Sequence, residues 1–162
     1  MWRKINKESE KLYLNCLNKN LTITTAESCT GGMISSAIVH INGSSQIFKS
    51  SVIAYSNDVK SKLLDIPNDL ITKNGAVSEI IAFKMAKNSL TILKAHLSIA
   101  VTGIAGPTGG SIDKPVGLVW IGIGTKEKII TIKHQFNGNR LKIRQKTTYE
   151  ALKLANKTIS EI

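Results

Sequence analysis

Apolar residues recur along this chain at two spacings, one typical of helices and one typical of strands. Ile81, Met85 and Leu93 fall on one side of a helix predicted over residues 78–93. The same spacing predicts helices over residues 3–18, 58–64 and 139–160, a helix after Gly32 that reaches Ile41, and a short turn near residues 69–73. Strands are predicted over residues 21–25, 47–55, 97–102, 116–124 and 129–136, the last two as an antiparallel hairpin.

Helices therefore alternate with strands, and the alternation ends in a hairpin. This order predicts one α/β domain over residues 1–162, a three-layer α/β/α sandwich on a mixed, mostly parallel sheet. In such sheets ligands bind beyond the carboxyl ends of the strands. Polar motifs follow the first three predicted strands, so we expect the functional residues at that edge. Gly43-Ser44-Ser45 instead precedes a strand and would have to reach the edge by a returning loop.

The charge balance bears on what the protein binds. Lysine and arginine number 22 against 11 aspartates and glutamates, a net charge of +11, yet arginine occurs only at positions 3, 140 and 144. Specific nucleic-acid recognition relies on arginine forks, and single-strand binding on stacked aromatic rings, which make up only 5% of this chain. We therefore expect no specific nucleic-acid partner, and a positive field that attracts an anionic small-molecule nucleotide substrate.

Other features exclude several classes of protein. No apolar run approaches the roughly 18 residues that span a membrane, and the charged first 20 residues lack the apolar core of a signal peptide. The expectation is a cytoplasmic protein without a membrane partner, in which Cys16 and Cys29 are reduced thiols. No cysteine and histidine spacing resembles a metal site, so we expect no metal and no organic cofactor. His134 falls on an apolar strand face, and we expect it to be partly buried and hydrogen-bonded.

The densest group of reactive side chains is Thr25-Ala-Glu-Ser-Cys-Thr-Gly-Gly32, between a predicted strand and a predicted helix. Exposed amides and the positive end of a helix can hold an anion at such a turn. The alternative is a helix cap, with Ser28 or Thr30 as the capping residue and the glycines easing the turn. The residues of this motif alone support both interpretations about equally.

Three further motifs follow in order: Gly43-Ser-Ser45 with Tyr55-Ser-Asn-Asp-Val-Lys60, then Gly75-Ala-Val-Ser-Glu79, then Thr102-Gly-Ile-Ala-Gly-Pro107 with Lys114-Pro-Val-Gly117. Together with the 25–32 motif they resemble the CinA C-terminal domain family, over about residues 21–144. Characterised enzymes of that family are nicotinamide-nucleotide amidases, the PncC-type NMN deamidases of pyridine nucleotide salvage. The resemblance implies the α/β/α sandwich and cofactor-free amide hydrolysis. Many family proteins also carry an N-terminal molybdopterin-binding-like domain, and this chain is expected to be the standalone form.

Amide hydrolysis needs a nucleophile, a base and a partner for the oxyanion. No histidine lies in a motif, but a buried lysine can act as the base because desolvation disfavours its ammonium form. The family resemblance implies that Ser45 and Lys60 form a Ser-Lys dyad, with Ser28 and Tyr55 as partners that orient it and relay a proton. Spacing alone instead favours ordinary structural roles for Ser45, Lys60 and Tyr55.

Substrate contacts are expected from the first motif, the third predicted strand and the start of the last helix, at Glu27, Thr30, Gly31, Thr102, Gly103 and Arg140. Glu27 either binds ribose hydroxyls or fixes its loop. The family resemblance implies a substrate-binding wall with Thr102 facing the cleft, and a flexible loop is the alternative. Arg140 opens a helix, where a cation is unfavourable unless an anion bridges it and the helix end, so a role in binding the substrate phosphate fits.

Several alternatives stay open. Cys29 is a rival nucleophile, since a thiol near a helix N-terminus has a lowered pKa, although a small buried side chain is the favoured role. A non-catalytic CinA-like domain linked to competence or DNA damage would present a partner surface, and direct DNA binding would use the basic surface. The motifs do not distinguish the nucleotide from the nucleoside or another carboxamide. Because α/β domains of this size often dimerise, a homodimer is a further expectation.

Overall fold

The structure, a computed structural model, describes residues 1–161 and shows five β-strands and six α-helices among them. The strands are β1 (Ile23–Glu27), β2 (Phe48–Ile53), β3 (Leu97–Gly103), β4 (Leu118–Thr125) and β5 (Ile129–Gln135). The helices are α1 (Trp2–Asn18), α2 (Met33–Val39), α3 (Asn57–Leu64), α4 (Asn68–Asn74), α5 (Glu79–Ile92) and α6 (Arg140–Ser160). Each predicted helix and strand is present, and the residues between β1 and β2 include a 3₁₀ turn at Ser44–Gln46.

All five strands form one sheet in the order β2-β1-β3-β4-β5. β1 pairs in parallel with β2 and with β3, whereas β4 is antiparallel to both of its neighbours, β3 and β5. Four strands therefore run in one direction and only β4 is reversed. This confirms the predicted mixed, mostly parallel sheet of an α/β sandwich.

Helices cover both faces of the sheet. One core lies between the sheet and α1, α2 and α6, and includes Ile34, Ile99 and Leu152. The other lies beneath α3, α4 and α5, and includes Leu64, Ile81 and Met85. β3 is buried along almost its whole length because both cores use it, which explains its mostly apolar sequence. Its two hydroxyl residues, Ser98 and Thr102, donate to the carbonyls of Ala86 and Ala76.

The ends of several elements differ from the prediction. β4 begins at Leu118 rather than at residue 116, because Gly117 adopts φ +94°, and a Cβ there would collide with the Phe136 carbonyl. The turn predicted near residues 69–73 is the complete helix α4, which Gly75 ends at φ +76°. β1 begins two residues later than predicted, and α2 ends at Val39, before Ile41.

Glu27, the last residue of β1, joins the strand to the start of α2. Its side chain is fully buried, and its two carboxylate oxygens accept hydrogen bonds from the Gly32, Ile34 and Ser35 amides at 3.0, 3.1 and 2.8 Å. The hydroxyls of Thr30 and Ser35 donate to the same carboxylate. These amides belong to the first turn of α2, so Glu27 caps the helix where the N-cap residue, Gly32, has no side chain. Neither Ser28 nor Thr30 is the helix N-cap.

We expect Glu27→Gln to destabilise the protein by about 2 kcal/mol or more, because the amide loses the charge that strengthens these hydrogen bonds and places donor hydrogens against donors. Urea unfolding followed by circular dichroism measures the change. Glu10→Gln, on the exposed side of α1, is the matched control and should leave the midpoint unchanged. Equal midpoints for the two variants would show that the Glu27 carboxylate is not a structural hub.

His134 on β5 is partly buried, as expected, but its Nε2 has no hydrogen-bond partner among residues 1–161. The expectation that His134 is hydrogen-bonded is therefore wrong for this nitrogen. The imidazole stacks on Phe136 with ring centroids 5.1 Å apart. Burial lowers the pKa of His134, while Glu150 nearby raises it and Lys153 lowers it further. Burial against Phe136 thus favours the neutral form of the ring.

Because the folded state holds His134 at a lowered pKa, the unfolded chain binds a proton first as the pH falls through about 6.5. Stability should therefore decrease below that pH. His134→Leu should remove this contribution and raise stability by about 1 kcal/mol, since it also deletes an unsatisfied buried nitrogen. Thermal unfolding of both proteins between pH 5 and 8 tests this. A pH dependence that is identical in the two proteins would contradict it.

Candidate active site

The loops after β1, β2 and β3 meet the start of α6 at one edge of the sheet. Ser28 follows β1 directly, Tyr55 follows β2, and the glycine-rich segment that contains Gly106 follows β3. Arg140 is the first residue of α6 and contacts two of these loops. The polar motifs that follow the strands therefore meet at the carboxyl edge, as the order of strands led us to expect.

Lys60 lies at the centre of this edge and is only 1% exposed. Ser56 caps α3 by accepting the Val59 amide, which orients the first turn of the helix with Lys60 facing inward. The Lys60 Nζ lies 2.8 Å from the Ala54 carbonyl, 3.1 Å from the Ser28 Oγ and 3.4 Å from the Tyr55 carbonyl. Among residues 1–161 it forms no salt bridge with a carboxylate.

A buried ammonium without a countercharge loses more hydration free energy than hydrogen bonds to neutral oxygen atoms return. Burial therefore lowers the pKa of Lys60 below its ordinary value. As an ammonium, Nζ donates to Ser28 and to the carbonyls. As a neutral amine it keeps two donors for the Ala54 and Tyr55 carbonyls, and its lone pair can accept the Ser28 hydroxyl proton. The geometry thus pairs a nucleophile candidate with a base candidate.

Ser45 does not take part in this contact, which corrects the expected Ser45–Lys60 pair. Ser45 is exposed, in the 3₁₀ turn before β2. β1 and β2 are parallel, so that turn lies at the amino edge of the sheet while Lys60 lies at the carboxyl edge. The six residues of β2 separate the two edges by about 20 Å at 3.3 Å per residue. The neighbouring Gln46 donates to the Tyr13 hydroxyl of α1 instead.

Arg140 ties two loops of the site together. Its Nη2 donates to the Tyr55 hydroxyl at 2.7 Å, and its Nη1 donates to the Gly106 carbonyl at 2.9 Å. Tyr55 is 58% exposed and its ring borders solvent, while its carbonyl accepts from Lys60. Asn139 caps α6 by accepting the Lys142 amide. A guanidinium and the positive end of a 21-residue helix therefore coincide at the mouth of the site.

Arg144 is a site residue that the sequence analysis missed. Its Nη2 and Nε donate to the Thr30 carbonyl at 2.6 and 3.3 Å, across 114 residues of sequence. The signal available was its position four residues after Arg140, which places both side chains on one face of α6. Gly31, which follows Thr30, is exposed at φ +57° and lies beside the Arg144 guanidinium.

Four expected substrate contacts are instead structural. Glu27 is fully buried and used by α2, so of its two expected roles the structure favours loop fixing over ribose binding. The Thr30 hydroxyl donates to Glu27 at 2.6 Å and is also buried. Thr102 is 1% exposed and its hydroxyl donates to the Ala76 carbonyl at 2.8 Å, so it does not face the cleft. At Gly103 a Cβ would lie 2.6 Å from Val119, so this glycine permits strand packing.

The rival nucleophile Cys29 is buried and inert. It is 5% exposed, and burial raises the pKa of its thiol to about 12, in place of the lowered value that proximity to the α2 N-terminus suggested. Within residues 1–161 no group of three histidine, cysteine, aspartate or glutamate side chains is arranged to hold a metal ion. Nor is any helix in that range long and apolar enough to cross a membrane.

Known proteins are similar to this chain in sequence and in fold. The chain is 46% identical over 146 residues to a CinA-like protein of Fusobacterium nucleatum subsp. nucleatum, covering 88% of this chain and 35% of that protein. It is 51% identical over 130 residues to a CinA-like protein of Prochlorococcus marinus, covering 80% of this chain and 31% of that protein. The chain thus spans about a third of the length of these curated relatives.

Solved structures agree with the sequence matches. The competence/damage inducible protein CihA from Agrobacterium tumefaciens superposes with a TM-score of 0.92 at 35% identity, covering 93% of each chain. A CinA superfamily protein from Escherichia coli gives a TM-score of 0.89 at 30% identity, covering 92% of this chain and 87% of that one. The model of the CinA C-terminal domain matches residues 5–159, nearly the whole chain. The protein therefore belongs to the CinA C-terminal domain family.

Proposed function

We propose that this protein is an amidohydrolase that converts nicotinamide mononucleotide to nicotinic acid mononucleotide and ammonia, with Ser28 as the nucleophile and Lys60 as the base. The observation that carries the proposal is the buried Lys60 amine 3.1 Å from the Ser28 hydroxyl, without a carboxylate partner. Burying a lysine is costly and gives no packing that an apolar side chain could not supply. A functional role is the usual reason for such a group at the ligand edge of an α/β sheet.

Acylation follows from the pairing. Neutral Lys60 takes the Ser28 Oγ proton while Oγ attacks the carboxamide carbon, forming a tetrahedral oxyanion. The Lys60 ammonium then donates its proton to the leaving nitrogen. The C–N bond breaks, ammonia departs and an ester joins Ser28 to the nicotinoyl carbon. The carbonyls of Ala54 and Tyr55 hold Nζ in position throughout.

Deacylation reverses the roles. Lys60, neutral again, takes a proton from water, and the hydroxide attacks the ester carbon. The ester bond to Ser28 breaks, Oγ regains a proton from Lys60, and nicotinic acid mononucleotide leaves, its carboxyl proton passing to solvent to give the carboxylate. Each step uses one proton that moves between Lys60, Ser28 and the substrate or water. The cycle needs no external oxidant or reductant.

The turn after Ser28 offers a donor for the oxyanion. Among the described residues the amides of Cys29 and Thr30 form no hydrogen bond with another residue, whereas the Gly31 amide donates to the Ser28 carbonyl and the Gly32 amide to Glu27. Thr30 is fully buried, so the Cys29 amide, next to Ser28, is the candidate to stabilise a tetrahedral oxyanion. Arg140 and the α6 N-terminus offer a site for the 5′-phosphate, and the positive net charge attracts the nucleotide.

Ser28→Ala should reduce ammonia release by about 10⁴-fold or more, since the nucleophile is lost. Ser45→Ala is the matched control and should retain activity within about threefold, because Ser45 is exposed at the opposite edge of the sheet. Ammonia is measured with the nucleotide, its nucleoside and free nicotinamide as substrates, and the nucleotide should have the highest kcat/KM. Loss of activity in Ser45→Ala with retention in Ser28→Ala would exclude Ser28 as the nucleophile. Absence of ammonia release from every substrate would favour a non-catalytic domain.

The pH dependence of activity and of stability should reflect the protonation state of Lys60. Activity requires the neutral amine, so kcat/KM should fall as the pH drops through the lowered pKa of Lys60. Between that pKa and the value of about 10.4 for a free lysine, the unfolded chain binds the extra proton, so stability should rise with pH in this window. Lys60→Met should abolish activity, raise stability near neutral pH by about 1 kcal/mol or more, and flatten that pH dependence. A Lys60→Met protein that is less stable than the wild type at pH 7 would contradict a desolvated amine.

A further inference from the structure

A second concave region lies at the opposite edge of the sheet from Lys60. It is bounded by the C-terminal half of α5, the β4–β5 turn and the residues before β1 and β3, and we call it the α5–hairpin groove. Its volume is about 1140 Å³, comparable with or larger than that of sites that hold small-molecule ligands. A smaller cavity of about 460 Å³ lies next to it between α5 and β5, and Phe83 lines both. None of the catalytic candidates lines either cavity.

The floor of the groove is apolar and largely aliphatic. Leu21, Phe83, Leu90 and Ile129 are partly buried and line it. From Ile80 in the smaller cavity to Thr91 in the larger one, α5 advances 11 residues, or about 16 Å at 1.5 Å per residue. The two cavities therefore follow one another along the helix. Apart from the His96 imidazole, Phe83 is the one aromatic ring among their lining residues, so they offer little for stacking a base.

The charge of the groove is one-sided. Five exposed lysines line the larger cavity, at positions 19, 87, 94, 126 and 128, against the single carboxylate of Glu127. Within residues 1–161 none of the five lies within 4.0 Å of a carboxylate oxygen. The smaller cavity, by contrast, is lined by no lysine but by Glu79 and other polar side chains beside Ile80 and Phe83. The cationic groups thus gather in the larger cavity, around its apolar floor.

His96 adds a directional donor at the cationic end. Its Nδ1 accepts the Thr22 amide at 3.0 Å, which fixes the neutral tautomer with the proton on Nε2. The same Nδ1 lies 2.9 Å from the Thr22 hydroxyl. His96 lines the groove and is exposed. An imidazole N–H in a fixed orientation, next to several ammonium groups, can donate a hydrogen bond to an anionic head group.

We propose that the α5–hairpin groove binds a monomeric long-chain acyl anion, with the anionic head at the lysine end and the acyl chain along the apolar floor of α5. Charge complementarity excludes a second copy of this strongly basic chain as the better occupant. The aliphatic floor and the scarcity of aromatic residues favour an acyl chain over a nucleobase. The concave shape favours a single molecule over a flat lipid surface. The site is separate from the candidate active site and does not depend on the function proposed above.

The probe is sodium myristate below its critical micelle concentration, titrated into the full chain by isothermal calorimetry. We expect saturable binding of one myristate per chain. Acetate, which has the head without the chain, and tetradecyltrimethylammonium, which has the chain with a cationic head, should bind at least about tenfold more weakly. Lys60→Met should bind myristate as the wild type does. Absence of myristate binding, or equal binding of the cationic amphiphile, would overturn the proposal.

Two pairs of variants locate the site. Reversal of Lys94, Lys126 and Lys128 to glutamate should weaken myristate binding by about tenfold or more, because three attractions become repulsions. The same reversal of Lys4, Lys7 and Lys11, exposed on α1, changes the net charge equally and should have little effect. Thr91→Trp should fill the groove without a change of charge, while Thr72→Trp on α4 is its control. Both threonines are exposed and donate to the carbonyl four residues earlier.

Circular dichroism of each variant confirms that it is folded before binding is compared. Equal affinity of the two charge-reversed proteins, or of the two tryptophan variants, would overturn the assignment to this groove. Sedimentation with anionic phospholipid vesicles tests whether the groove binds a membrane surface instead. Co-sedimentation that depends on the three groove lysines, without binding of monomeric myristate, would identify a membrane surface as the occupant and reject the monomeric ligand.

Discussion

The structure depends on one unusual constraint, an amine buried at the edge of a sheet without an opposite charge. Lys60 reaches its position from the first turn of α3, and only two carbonyls and the Ser28 hydroxyl surround its nitrogen. A carboxylate at the same place would hold the lysine as an ammonium and remove it as a base. Glu27, the residue before Ser28, carries a carboxylate, but it accepts hydrogen bonds from five donors of the turn that leads into α2. The carboxylate thereby stabilises the turn, and the amine remains without an opposite charge.

The turn between β1 and α2 is held from both sides. The buried Glu27 carboxylate accepts hydrogen bonds from amides and hydroxyls of the turn, and Arg144 of α6 donates to the Thr30 carbonyl on its other side. Ser28 lies at the beginning of this turn, so the contacts that Glu27 and Arg144 make with the turn also fix the position of Ser28. Arg140, one helical turn earlier, fixes Tyr55 and the loop at Gly106 in the same way. A single face of α6 therefore positions the loops that follow three strands.

The sequence predicted the sandwich well because periodicity reports burial directly. The mostly apolar β3 and the amphipathic α5 could be assigned from composition and spacing alone. The candidate site was harder, because side chains that converge in space leave no mark on spacing. Lys60 and Ser28 were identified from hydroxyl-rich motifs, but the partner given to Lys60 was Ser45, which the parallel pairing of β1 and β2 places at the far edge. The other differences between the predicted and the observed site come from burial. Glu27, Thr30 and Cys29 carry reactive or polar side chains, but the fold buries all three.

The link between Arg140 and Tyr55 joins residues that are 85 positions apart, and Arg144 reaches back 114 positions to Thr30. The first and last helices are also bound together, through Asn156 and its contacts with Asn15 and Glu8. During synthesis, Ser28 and Lys60 therefore leave the ribosome long before the helix that secures their loops. A nascent chain that carries both residues still lacks the Arg140 and Arg144 contacts, so the arrangement of these loops is complete only once α6 has docked.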